Sequence, residues 1–147
     1  MNSSAAYSIR FAQAADETSI LQLRTRATVE GSQFRGLVPV SEIGDISVLA
    51  EIGQSIVGYL SYSVQGSSAN ITSVHVHAEA REVGIGDALV LFTISECKKA
   101  NLQWISASAQ PGDRDLKNLF ERHGLVAQRI IVGKSLSDPS TEEHASQ

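Results

Sequence analysis

The stretch Val74-His75-Val76-His77-Ala78-Glu79-Ala80-Arg81-Glu82-Val83-Gly84-Ile85-Gly86-Asp87-Ala88-Leu89 constrains the fold more than any other part of the chain. It begins as a strand, because Ile71, Val74 and Val76 are β-branched and flanked by polar residues, and Thr72 adds a further β-branched position. It ends as a helix. From Gly86 to Ala100, the residues Leu89, Val90, Leu91, Phe92, Ile94 and Cys97 give a broad apolar face suited to packing on a sheet. Between strand and helix, two glycines without Cβ atoms let a ligand approach the main chain where a helix presents unpaired amides and its positive dipole end. That is an anion cradle on an α/β scaffold.

Glycine spacing alone favours a plain strand-to-helix turn with no ligand, so the chemistry must come from the surrounding residues. A dinucleotide fingerprint needs a third glycine where Leu89 stands, and no Asp or Glu ends the next strand to hold a ribose. A triphosphate loop needs Gly-Lys-Ser opening a helix, but Gly133-Lys134-Ser135 leads into a polar tail with no earlier glycine at the required spacing. Both fail.

The third pattern, Arg81-x-x-Gly84-x-Gly86 after Val74-x-Val76 and before Ala88-Leu89, resembles the coenzyme A pyrophosphate signature of the GNAT superfamily of N-acetyltransferases. Tyr7-Ser8-Ile9-Arg10 followed by Ala15-Asp16 is similar to that family's first strand and helix start, and Phe120-Glu121-Arg122-His123-Gly124-Leu125 to its closing helix. The resemblance implies one α/β domain over residues 7–136: a central mixed, mostly antiparallel sheet flanked by helices, with splayed central strands. Residues 1–6 are then expected to be a flexible N-terminus and 137–147 a disordered tail. The resemblance also implies transfer of an acetyl group from acetyl-CoA, as cosubstrate and without a metal, to a primary amine of a small molecule or protein. The backbone of Val74, His75 and Val76 would pair with the pantetheine arm, an amide there polarising the thioester carbonyl. Arg81, Glu82, Val83, Gly84, Ile85, Gly86 and Asp87 would hold the pyrophosphate, with Arg81 a charge partner or simply a solvated loop residue. Asp113, at the start of the closing helix, completes the expected coenzyme contacts.

The rest of the chain reads in order. Residues 7–11 form a strand, and Asp16 caps a helix that buries Ile20, Leu21, Leu23 and Ala27 and ends near Gly31. Residues 31–46 are a loop or short-helix region, the part that in this family usually contacts the acceptor. Val48–Ile52 and Ile56–Val64 make a hairpin about Gly53-Gln54-Ser55, and a polar turn from Gln65 to Ala69 leads into the central strand. Lys98 and Lys99 complement the dipole of the long helix, and Asn101 suits a left-handed cap. Trp104–Ala109 is a strand. Pro111-Gly112-Asp113 turns the chain into a helix that carries Leu116, Leu119, Phe120 and His123 and stops at Gly124. Leu125–Leu136 supplies one or two last strands.

Composition excludes several classes of function. The 147 residues suit one domain, and a net charge of −4 argues against a nucleic-acid surface and favours a cationic or neutral small acceptor. No apolar run reaches the roughly 20 residues that span a bilayer, and Met1-Asn2-Ser3-Ser4 lacks a secretory pattern, so no membrane partner and a cytoplasmic location are expected. The single Cys97 has no disulfide partner and reads as a packing residue. A homodimer stays open.

The catalytic groups are less plain. The family's usual thiolate acid is a Tyr four residues before the closing-helix glycine, and here that residue is Phe120, which cannot donate a proton. Asn70 and Ser108 stand where related enzymes often carry a Glu base. Asp113 could assist an ammonium or serve only as a cap. His75 and His77, two apart, point to one face if the strand is regular, close to the expected thioester site. Imidazoles ordinarily titrate near ~6.5, so either could take a proton from the amine, or both could be structural. Glu51 is a further candidate base, and Tyr59 and Tyr62 fall on opposite faces. A non-catalytic acyl-CoA-binding or regulatory module of the same fold is the competing reading, and a structural domain with an incidental glycine turn is a third.

Overall fold

The computed structural model describes residues 7–22, 46–109 and 112–137. The terminal segments 1–6 and 138–147, the latter part of the first helix and the loop expected up to residue 45 lie outside the described residues.

Five strands form one sheet in the order β1 (Tyr7–Phe11), β2 (Ile46–Ile52), β3 (Ser55–Gln65), β4 (Ser68–Val76) and β5 (Trp104–Ala107). The first three pairings are antiparallel and β4 with β5 is parallel, as a helical crossover between them requires. Two-residue turns close both hairpins, and Gly53 and Gly66 sit there at φ 63° and 61°, where a Cβ would be strained.

α2 (Ile85–Lys99) lies across one face of the sheet. Ile85, Leu89, Thr93 and Cys97 recur every four residues and, with Val90, make its buried stripe, against Val48, Ala50, Leu60, Tyr62, Ala69 and Ile71. Burying a side chain such as Leu89 is worth about 1.5–3 kcal/mol, and Leu89→Ala would cost about 2–5 kcal/mol. Leu91 points away and is exposed, so the apolar face is narrower than the sequence suggests. Thr93 fits because its hydroxyl donates to the Leu89 carbonyl at 2.9 Å. The helix ends as expected: Asn101 takes φ 63°, and its amide and that of Leu102 return to the carbonyls of Lys98 and Cys97.

The other face is smaller. Residues 17–22 are helical (α1), and Ile20 packs on Leu49 and Tyr59 there, while Leu21 is exposed. Asp16 does not cap α1 but closes a 3-10 turn, Ala14–Asp16: its carboxylate accepts from the Gln13 amide at 2.7 Å. Tyr59 and Tyr62 fall on opposite faces, both buried.

The expected closing strands do not form. Leu125 packs against the core, but residues 126–136 carry no secondary structure and pair with no strand of their own chain among the described residues. Their β-branched residues favour strand, yet a strand needs a partner edge, and none of the described ones is engaged.

Candidate functional site

β4 and β5 are in register only from Ser68/Trp104 to Ile71/Ala107, whereas β4 continues beside β3 to Val76. Between Thr72 and Val76 the side of β4 that faced β5 therefore has no strand paired to it among the described residues. β5 ends at Ala107, and the main chain of Val74, His75 and Val76 lies along this stretch of β4.

Past the end of β4 the chain makes a 3-10 turn, Ala78–Val83, and enters α2 through Gly84 at φ 83°. An ideal Cβ on Gly84 would meet nothing within 4 Å, so the approach to its main chain is open. The helical ladder begins with Ala88 donating to the Gly84 carbonyl at 3.0 Å, so the amides of Ile85, Gly86 and Asp87 lie ahead of it. Gly84 makes no side-chain cap hydrogen bond. An anion on the α2 dipole would meet the main-chain amides of this first turn.

Two packing contacts hold this cradle in place. Ile85 is fully buried over Gly58 of β3, where an added Cβ would stand 3.4 Å from Ile85 Cγ2 and 3.2 Å from the His75 carbonyl oxygen. Gly58 is what lets the start of α2 sit this close to β3 and β4, and the sequence reading passed over it. Gly86 faces α3 (Arg114–Arg122): its Cβ would lie 3.4 Å from Leu119 Cδ2. The second glycine of the motif thus serves helix packing through its missing side chain, and only its amide is turned to the cradle's use.

Asp87 is tied down by groups that the sequence reading left apart. Its carboxylate accepts two hydrogen bonds from Arg122, both at 3.1 Å, and lies 2.7 Å from His123 Nε2. Burial opposes its ionisation, but Arg122 and His123 outweigh that and hold its pKa below the ordinary value. The acidic charge beside the cradle is thereby neutralised and the end of α3 is clamped to the start of α2. No spacing rule could reveal a contact across 35 residues.

The catalytic candidates separate. β4 has a bulge at Thr72: Ser61 opposes Ser73, but Tyr62 opposes Ile71. Beyond it Val74 and Val76 face α2, and His75 turns to the other face beside Tyr59, ring centroids 6.4 Å apart and only 6% exposed. His75 is thus a buried side chain, and a regular strand up to His77 is not what forms. β4 ends at Val76; His77 follows it, partly exposed, its amide donating to the Val57 carbonyl at 2.7 Å. Glu51 is paired with Arg10, Oε1 to Nε at 2.8 Å, and is not a poised base. Asp113 is the α3 N-cap, accepting from the Leu116 amide at 3.2 Å. Asn70 Oδ1 accepts from Ser106 at 3.0 Å, while Ser108 is exposed beyond β5. Phe120 is 6% exposed, in the same apolar cluster as Ile85, Leu89 and Leu119. Arg81 and Glu82 lie in the 3-10 turn and Val83, at its end, is exposed. Burial raises the pKa of the Cys97 thiol, as suits a packing residue.

A mixed sheet whose parallel pair, β4 and β5, stops short of a glycine-led helix N-terminus suits an acyl-coenzyme A type of transferase. Residues 18–125 match the acetyltransferase (GNAT) family, and the chain belongs to that family. No curated protein matches it. Among solved structures, a ribosomal-protein-alanine N-acetyltransferase from Brucella melitensis biovar Abortus 2308 is 14% identical at a TM-score of 0.70, over 89% of this chain and 99% of that one. An aminoglycoside acetyltransferase, meta-AAC0020, from an uncultured soil metagenomic sample in complex with sisomicin is 16% identical at 0.69, over 92% and 99%. An aminoglycoside N-acetyltransferase, AAC(6')-Iy, in complex with CoA is 12% identical at 0.67, over 88% and 95%. The similarity is one of fold. No helix among the described residues is long and apolar enough to cross a membrane.

Proposed function

We propose that this chain transfers the acetyl group of acetyl-CoA to a primary amine of a small molecule or protein. The observation that carries the reading is the end of the β4–β5 pairing at Ile71/Ala107 while β4 runs on to Val76, ahead of the glycine-led first turn of α2. A thioester arm laid along Val74, His75 and Val76 would add main-chain hydrogen bonds to β4, and its diphosphate would meet the α2 amides. Acetyl-CoA supplies the activated carbonyl; the chain's part is to place it, to donate an amide to its oxygen, and to accept a proton from the amine. His77, partly exposed just past the end of β4 and next to the main chain of Val74, His75 and Val76, is the proton acceptor we favour among the nominated groups. Phe120 leaves protonation of the thiolate to water. The protein acts in the cytoplasm, on amines rather than on nucleic acid or membranes.

A second reading rests on Phe120 itself: a buried phenyl ring at the proton donor's position suits a non-catalytic acyl-CoA binder of the same fold. Thiol release from saturating acetyl-CoA with a panel of aminoglycosides, polyamines and amino-terminal peptides separates the two. Saturable, amine-dependent release that falls in His77→Ala with unchanged coenzyme affinity supports the transferase; affinity without release supports the binder.

A further inference from the structure

An anion cradle with a carboxylate in its first turn is at odds with itself. Asp87 is the third residue of α2, and a negative charge there occupies the dipole end that a diphosphate would use and repels the diphosphate as well. The structure meets that charge from α3. Arg122 donates from Nε and Nη2 to the two carboxylate oxygens, both at 3.1 Å, and His123 Nε2 lies 2.7 Å from Oδ1. The His123 side chain is 12% exposed and that of Arg122 55%, so the imidazole is the enclosed partner and the guanidinium the solvated one. His123 is also the residue on which α3 ends, its amide returning to the Phe120 carbonyl at 3.1 Å.

Elsewhere on α3, Lys117 pairs with Glu121 at 3.1 Å, and Arg114 and Asp115 stand at its far end. Glu96, Lys98 and Lys99 stand at the far end of α2. The turn before α2 carries Glu79, Arg81 and Glu82, and Arg129 follows α3. Burial works against the Asp87 carboxylate, but Arg122 and then His123, the charges that act on it among the described residues, more than make up for this. Asp87 therefore stays ionised at neutral pH, and what its charge does to a bound anion depends on those two partners.

We propose that Arg122 and His123 set the affinity of the α2 cradle for the coenzyme diphosphate by cancelling the charge of Asp87, and that His123 makes this affinity depend on pH. The proposal rests on the reading of that cradle as the coenzyme A site. Arg122 brings its pair with Asp87 to zero charge, so the diphosphate meets the α2 amides without a net opposing charge. A proton on His123 adds one positive charge to the cluster. Binding of the anion and protonation of the imidazole then favour each other, because the coupling is reciprocal. Imidazoles ordinarily titrate near ~6.5, so this contribution to affinity grows as the solution is acidified through that range. Both are positioning residues, acting through Asp87.

Calorimetry of the full chain with coenzyme A at low salt tests this. Arg122→Gln should weaken binding about three- to tenfold, Asp87→Asn should bind at least as tightly as wild type, and the double variant Asp87→Asn/Arg122→Gln should return to wild-type affinity, since its pair again sums to zero. The Arg122→Gln loss should shrink at high salt. A clamp that served packing alone would make the double variant as weak as Arg122→Gln or weaker. His123→Gln keeps a hydrogen-bond donor without the titration, so wild type should gain on it from about pH 8 to about pH 6; the coenzyme's own titrations are common to both proteins and cancel in the ratio. A double variant that stays weak, an Arg122→Gln protein with wild-type affinity, or a ratio that is flat with pH overturns the proposal. If wild type does not bind coenzyme A, or Gly84→Asp binds it as well as Gly84→Asn, the cradle is misplaced and both readings fall; a weakened Gly84→Asp beside unaffected charge variants overturns this one alone.

Discussion

Gly58→Ala is the substitution that most directly tests how the cradle is held. The added methyl would stand 3.2 Å from the His75 carbonyl oxygen and 3.4 Å from both Ile85 Cγ2 and Val76 Cγ2. The two methyl contacts can relax by small rotations; the carbonyl is main chain of β4, in the peptide that leads into Val76, the partner of Gly58 in the ladder, and cannot. Overpacking of this kind costs about 1–3 kcal/mol. Alanine also restricts the unfolded chain, which returns about 0.4–1 kcal/mol. The net is a loss of about 1–2 kcal/mol, which at about 2–4 °C per kcal/mol lowers the melting temperature by roughly 2–8 °C. Gly86→Ala is the control. Its methyl would meet only side-chain ends, Leu119 Cδ2 at 3.4 Å and Val76 Cγ2 at 3.9 Å, and alanine is the better helix former, so its melting temperature should equal or exceed that of wild type. Thermal unfolding followed by circular dichroism reads both. The strain at 58 also falls on Val76 and Ile85, so calorimetric coenzyme A affinity should weaken in Gly58→Ala. A Gly58→Ala protein that melts at or above wild type would refute the close approach on which this account of the site depends.

Further expectations concern charge, the missing hydroxyl and acid. Gly84→Asn and Gly84→Asp place equally tolerated left-handed residues at the open start of α2, so they should melt alike, while the aspartate binds coenzyme A at least tenfold more weakly; equal affinities would put the diphosphate elsewhere. Phe120→Tyr should raise turnover modestly at unchanged apparent acetyl-CoA affinity if the ring edge faces the coenzyme sulfur, and a lowered melting temperature with no gain in turnover would show the hydroxyl buried without a partner. Hydrogen bonds from Arg10, then from the Gln13 amide, hold the Asp16 pKa down to about 2 from 3.8. Because the folded value is the lower one, this stability is present above pH 4 and lost as pH falls toward 2. Wild type should therefore lose more of its melting temperature over that window than Asp16→Asn; parallel losses would mean that the pair contributes nothing.

Local chemistry was legible in the sequence wherever a residue type answers a backbone demand. Gly53, Gly66, Gly84, Asn101 and Gly124 all take the left-handed conformation that turns and caps require, and each hairpin and helix boundary near them falls within a residue or two of its expected place. What depends on a distant partner was not legible. Gly58 matters because Ile85 and the His75 carbonyl come to it, and Asp87 because Arg122 and His123 do. The bulge had a trace that went unread: Ile71 and Val74 are both apolar but three apart, which a regular strand with one buried face does not produce. His75 and His77 both follow the bulge, and what separates them is that β4 stops at Val76. The strand character of residues 126–136 was read from composition, but composition cannot say which edge will receive a strand.

The extra residue at Thr72 makes β4 two half-strands in antiphase. Odd positions, Ala69 and Ile71, face α2 before it, and even positions, Val74 and Val76, face α2 after it. Flattening the bulge with Thr72 still in the chain would bring the halves into one phase, turning Ser73 and His75 under α2 and sending the two valines to the opposite face. A hydroxyl and an imidazole would then stand where apolar groups pack. Substitutions along this strand are local events; an insertion, or a deletion anywhere but at Thr72, is not. Length, counted from Ser73 to Gly84, is the property that divergence within this segment is least free to change.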